Sequence, residues 1–159
     1  MRVPAATLVA LLLVATAGCL APLQGGPPEV TVENRADQTY RTIVYTVPDD
    51  VHRATGFYAT EDGERRLVGF GDVAFGAGLH NVTLADRSEA TVDRFTAGPN
   101  QSVMTTVEGW EQGDSTIYLV ETLDGKLVFA DVIRCEQAGQ THWIDIYSNE
   151  SVKWGSTCS

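Results

Sequence analysis

The sequence has very little lysine, few cysteines, no recurring helical period and, past its first residues, no long apolar run. Lysine occurs only at positions 126 and 153, against nine arginines and 21 acidic residues, so the formal charge is −10. With no basic patch to release counterions from phosphates, a nucleic-acid partner is excluded. The only apolar run lies within the first 18 residues and is shorter than the roughly 20 residues a spanning helix needs, so nothing in the chain is expected to cross a membrane. With helical period missing, period-two alternation is what remains to organise the body.

What is present begins with a leader. Met1-Arg2 supplies positive charge, residues 5–15 are small and apolar, and Thr16-Ala17-Gly18 precede Cys19. These are the three parts of a secretory signal, and residues 1–18 are assigned to it. Ala17-Gly18-Cys19 resembles a lipobox, where cleavage precedes the cysteine and lipid is added to its sulfur; Thr16 departs from the usual aliphatic residue there. The resemblance implies lipidation at Cys19 and a partner in the membrane itself. The alternative is an ordinary signal cut after Ala17, with Cys19 a free thiol. No twin-arginine pair is present, which implies export of an unfolded chain. Residues 19–29, with Gly25-Gly26-Pro27-Pro28, form a linker able to reach about 30 Å when extended. Residues 30–159 form the body, enough chain for one domain with a core.

Acidity with scarce lysine is similar to the haloarchaeal surface style, in which carboxylates keep a protein hydrated in concentrated salt. High net charge of one sign preserves solubility but repels itself when salt is low. With Cys19 assigned to lipid, Cys135 and Cys158 are the expected disulfide, since neither has a second cysteine or histidine at metal-ligand spacing. Three of the four asparagines stand in glycosylation acceptors, at Asn81-Val82-Thr83, Asn100-Gln101-Ser102 and Asn149-Glu150-Ser151. Serine and threonine make up about a seventh of the chain, so three in four exceeds chance and predicts exposed, extracellular loops or strand faces.

Alternation predicts strands at Val30–Glu33, Tyr40–Val47, Gly56–Thr60, Arg65–Phe70, Val82–Leu84, Thr91–Phe95, Ser102–Glu108, Thr116–Thr122, Leu127–Arg134, His142–Tyr147 and Val152–Trp154. Asp62-Gly63 and Asp124-Gly125 mark tight hairpin turns. Residues 85–90 are the one stretch expected to make a helical turn. Many short strands with no helix to cover a sheet face predict an all-β, antiparallel, immunoglobulin-like sandwich, although Cys135 and Cys158 are too close in sequence for the immunoglobulin signature. Trp110, Trp143 and Trp154 are expected in the core or at its edge. Together the leader, the acidity and the opening Val30-Thr31-Val32-Glu33-Asn34 resemble small haloarchaeal surface lipoproteins with a β-sandwich body.

Catalytic motifs are weak. Gly113-Asp114-Ser115 resembles the nucleophile block of the lipases named for Gly-Asp-Ser-Leu. Here Thr116 replaces the leucine, the block precedes a strand, and His142 precedes Asp145 where the family has the reverse order. The glycine-rich stretch 69–78 is read as strand links without a helix to hold a phosphate. His52, His80 and His142 lie far apart and are expected at surface or turn positions. The acidic turns at 49–50 and 61–64 lack the spacing of a calcium loop. No metal, cofactor or catalytic residue is therefore expected. The chain reads as a lipid-anchored, non-catalytic domain on the outer face of the cytoplasmic membrane, binding another envelope protein or polymer. A secreted hydrolase with an unrecognised site and an accessory subunit of a membrane complex are the alternatives.

Overall fold

The computed structural model describes residues 26–50, 55–76, 78–136 and 139–158. The leader, Cys19, most of the linker and His52 lie outside the described residues.

Three sheets are stacked. The front sheet has the order β11(Val152–Cys158), β10(Gln140–Ile146), β1(Glu29–Asn34), β7(Ser102–Thr106). The central sheet has the order β6(Thr91–Ala97), β2(Tyr40–Val47), β8(Ser115–Thr122), β9(Leu127–Arg134). These two make the expected immunoglobulin-like sandwich. Every pair is antiparallel except one: β1 runs parallel to β10, from Glu29 beside Thr141 to Asn34 beside Ile146.

The chain between β2 and β6 adds a third layer that the sequence reading did not foresee. β3(Phe57–Glu61), β4(Glu64–Val68) and β5(His80–Leu84) form a back sheet of order β4-β3-β5. β8 is accordingly buried at all eight positions. Its even-numbered side chains, Tyr118 and Val120, meet Val30, Val32, Ile144 and Ile146 of the front sheet. Its odd-numbered ones, Ile117 and Leu119, meet Phe57, Ala59, Val82 and Leu84 of the back sheet. A strand covered on both faces needs apolar or small side chains at every position, which is why Ser115–Val120 carries no charge.

Between β4 and β5, the glycine-rich stretch contains a six-residue helix, α1(Phe70–Phe75), where links alone were expected. Gly69 N–H donates to the Asp72 carboxylate at 3.1 Å, closing the first turn. Val73 is buried and Phe70 packs on Phe57 with ring centres 5.9 Å apart, so the helix plugs the edge of the back layer. Residues 85–90 form bends and a turn instead of the expected helix. Both Asp-Gly hairpins are present. Asp62 and Gly63 both have positive φ, at 51° and 83°, as a two-residue hairpin turn requires.

Candidate interaction face and the two ends of the domain

Strand direction gives the body two distinct ends. The chain arrives from Gly26 at the end where β1 begins, and β10 begins there as well. Cys135 and Cys158 sit at that same end, one leaving β9 of the central sheet and one closing β11 of the front sheet. Their Cα atoms are 5.7 Å apart, within disulfide reach, so the pair joins the two sheets across an open edge. Trp154 and Phe129 close the edge above it with ring centres 4.9 Å apart.

Beside this pair lies a buried polar chain. Tyr118 Oη meets His142 Nδ1 at 2.5 Å, His142 Nε2 meets Gln140 Oε1 at 3.1 Å, and Gln140 Nε2 donates to the Cys135 carbonyl at 3.3 Å. With Gln140 donating onward, its Oε1 must accept. His142 therefore carries its proton on Nε2 and accepts from the tyrosine. His142 and Tyr118 are both fully enclosed, not at the surface position expected for a histidine. Burial holds the imidazole near a pKa of about 4 and pushes the phenol upward. The chain crosses from β8 to β10 with Tyr118 and His142 fully enclosed, so its chemistry is that of a core hydrogen-bond network.

The other residues singled out in the sequence do not converge. Ser115 is wholly buried and its hydroxyl donates to Asp49 at 3.1 Å, while Asp49 also accepts from Arg134 at 2.6 Å. Asp114 holds the preceding turn by accepting from Glu111 N–H at 2.9 Å. His80 is half-buried where β5 meets Lys126, on the far side of the body from Cys135. Among the described residues no three histidine, cysteine or acidic side chains are grouped to hold a metal ion, and no helix is long and apolar enough to cross a membrane.

The outward face of the front sheet is uncovered among the described residues. Register across it sets Met104, Thr31, Trp143 and Gly155 in one row. Trp143 is 42% exposed and Met104 65% exposed, which corrects the expectation of a core position for Trp143. A Cβ at Gly155 would stand 2.7 Å from the Trp143 ring, so the absence of a side chain there lets the indole lie flat on β11. Trp110 holds the core-edge place expected of it, against the front core, whereas Trp154, 48% exposed, also departs from the expectation and lies on the Phe129 ring at the sheet edge. On one side of the row lie Thr106, Thr141 and Thr157; on the other lie Glu33, Asp145 and Lys153 with Arg35 and Tyr147. An aromatic and a thioether at the centre with hydroxyls and charges at the rim is the composition of a protein-contact patch. The alternation of His142, Ile144 and Ile146 against Trp143 and Asp145 was the sequence signal for which side each residue takes.

A family described as "Halobacterial Ig domain protein" matches residues 2–159. The chain belongs to this family. The match takes in residues 2–29, Cys19 among them, as well as the sandwich of this halobacterial Ig domain. No curated protein matches it. Among solved structures it is similar to the type VI secretion (T6SS) lipoprotein TssJ1 from Pseudomonas aeruginosa, at TM-score 0.42 and 11% identity over 85% of this chain and 98% of that one. It is also similar to the cytotoxin protein suilysin from Streptococcus suis, at TM-score 0.29 and 7% identity over 85% of this chain and 24% of that one. Neither likeness bears on what the Ig domain does.

Proposed function

We propose that this Ig domain is an exported, lipid-anchored interaction module. Cys19 holds it to the outer face of the cytoplasmic membrane, and the front sheet contacts another protein of the envelope. The reading of residues 1–18 as leader, 19–29 as linker and 30–159 as body supports this. So does a family match that begins at residue 2 and includes the cysteine. The observation that carries the binding reading is the row of Met104, Thr31 and Trp143 on an uncovered face. Tryptophan is enriched where protein interfaces concentrate their energy, and a ring on a rigid strand loses little entropy on contact. The buried Ser115 and enclosed His142 support a non-catalytic role, because neither opens to a substrate.

The test is cross-linking on intact cells in native salt with the tagged full chain. Wild type is expected to recover one partner protein in stoichiometric yield, and Trp143→Ala to lose it while remaining folded and membrane-bound. Cys19→Ser is expected to appear in the medium. Retention of the partner by Trp143→Ala overturns the front-sheet assignment, and a Cys19→Ser chain that stays with the membrane overturns the lipid anchor. Recovery of surface polymer alone transfers the binding role away from a protein partner.

A further inference from the structure

We infer that the end of the Ig domain opposite its point of attachment is a glycan cap, with sugars carried on Asn81, Asn100 and Asn149. The inference rests on the export reading above and adds a modification site with a defined place on the body.

The three acceptor motifs lie on β5 of the back sheet, in the β6–β7 turn and in the β10–β11 turn of the front sheet, up to 68 positions apart in sequence, yet the fold brings them to one end. Asn100 occupies the β6–β7 turn, and its N–H donates to the Ala36 carbonyl in the β1–β2 loop at 3.3 Å. In that loop Arg35 N–H donates to Ile146 O at 2.8 Å and Arg35 O accepts from Ser148 Oγ at 3.5 Å, reaching the turn that holds Asn149. Glu150 of that turn pairs with Lys126 Nζ at 2.6 Å. Lys126 follows Gly125, whose carbonyl accepts from Asn81 N–H at 2.8 Å. One connected rim of turns thus carries all three asparagines, and all three are exposed. Glu29, where the linker arrives, and Cys158 both lie at the other end.

A competing explanation is purely conformational. Asn81 and Asn100 have φ of 51° and 54°, and asparagine tolerates this left-handed region better than most residues. That accounts for two asparagines. Asn149 has a local role of its own, its Oδ1 accepting from Ser151 N–H at 3.2 Å, so what conformation leaves unexplained is a hydroxyl two residues after each of the three. Thr83 accepts a 3.2 Å hydrogen bond from Arg65 at an exposed site, Ser151 turns its hydroxyl to Asn149 at 2.6 Å, and Ser102 is exposed on β7. Backbone geometry demands none of these hydroxyls. Space for a first sugar is also present. Asn100 lines an open cleft of about 310 Å³ with Glu33, Arg35 and Gln101, and Asn81 lines one of about 210 Å³ with Arg41, Arg94 and Glu121. Both clefts offer charged partners to sugar hydroxyls.

In the transfer step the Asn Nδ2 attacks the anomeric carbon of a phosphate-activated glycan donor. The C–N bond forms as the bond from that carbon to the phosphate oxygen breaks, the phosphate leaves with the electron pair, and the amide gives up one proton. A separate transferase of the cell supplies the catalysis.

The test is peptide-level and intact mass spectrometry on the full chain, expressed with its own leader in a halobacterial host. Glycan mass is expected on the peptides bearing Asn81, Asn100 and Asn149. Thr83→Ala, Ser102→Ala and Ser151→Ala are each expected to delete one addition while leaving the asparagine in place and the melting temperature unchanged. Glycan on two or three sites supports the cap; glycan on one or none of them in exported protein overturns it. If an acceptor-site variant keeps its full mass, the motif at that site is not what is modified, and the inference fails there. A glycosylated chain released to the medium overturns the anchor and leaves the cap standing, whereas an anchored chain with bare asparagines does the reverse.

Discussion

His142 and Glu121 are two polar side chains whose burial has a measurable consequence. The His142 imidazole titrates near 4 inside the fold because it has lost its hydration, against about 6.5 in an unfolded chain. Between these values the unfolded chain takes up a proton that the folded chain refuses. The native advantage is therefore complete above about pH 6.5 and falls as pH drops toward 4, by up to about 3 kcal/mol. Urea unfolding followed across this window should show that loss, and His142→Gln should flatten the slope relative to wild type. An equal slope in both would remove the histidine as the cause. Glu121 is 2% exposed and accepts from Arg41 Nε at 2.6 Å across the β2–β8 pair. Removing the arginine leaves a buried carboxylate without its counter-charge. Arg41→Met is expected to cost about 3 kcal/mol, and the double change Arg41→Met with Glu121→Leu to recover most of it. Denaturation midpoints of the two variants decide the matter.

At the scale of elements, the back layer converts an exposed sheet face into a core. Phe57 on β3 is almost fully enclosed and touches both the central sheet and α1. Phe57→Ala should cost about 3–5 kcal/mol. It should also release α1 first, which hydrogen exchange at residues 70–75 would report as early loss of protection. Uniform loss over the whole body would mean that the layer is not a separate unit. The sequence carried the strands themselves well, because Tyr40–Val47 and Leu127–Arg134 are rich in β-branched and aromatic residues and bounded by turn residues. It could not carry the third layer. Over Thr42–Val47 of β2 and Ser115–Val120 of β8 both faces are uncharged and buried, so alternation has no wet side against which to register, and one covering sheet reads the same as two. The parallel pairing of β1 with β10 joins residues more than a hundred positions apart and leaves no local trace. The helix α1 was hidden by Gly69, Gly71 and Gly76, with only the spacing of Phe70 and Val73 to mark it. For the candidate face the necessary pattern was present in residues 141–146. The buried side of that strand could be recognised from Ile144 and Ile146, and it takes His142 inward and Trp143 outward.

For the molecule as a whole, charge governs the conditions under which the fold exists. With 11 basic against 21 acidic side chains, at least ten carboxylates stay without a cationic partner whatever ion pairs form. Mutual repulsion of the remaining carboxylates should destabilise the compact state as the Debye length grows from about 3 Å at 1 M salt to about 10 Å at 0.1 M. Thermal unfolding is expected to move to markedly lower temperature over that range. A melting temperature independent of salt would show that the acidity serves solubility alone.

The central place of β1 also determines how the domain bears mechanical load. The linker joins the body at Glu29, the first residue of a strand hydrogen-bonded to β7 on one side and β10 on the other. Tension applied through the residues before Glu29 therefore runs along β1 and strains both ladders together in shear, because the hydrogen bonds lie across the pull. The same tension applied along the edge strand β11 would load one ladder only, that with β10. Single-molecule pulling through the linker should meet a higher rupture force than pulling through β11 with the disulfide reduced. Equal forces would show that β1 is no stronger a handle than the edge. Were Cys19 lipidated as proposed, drag on the body would reach the membrane through a strand held by a neighbour on each side.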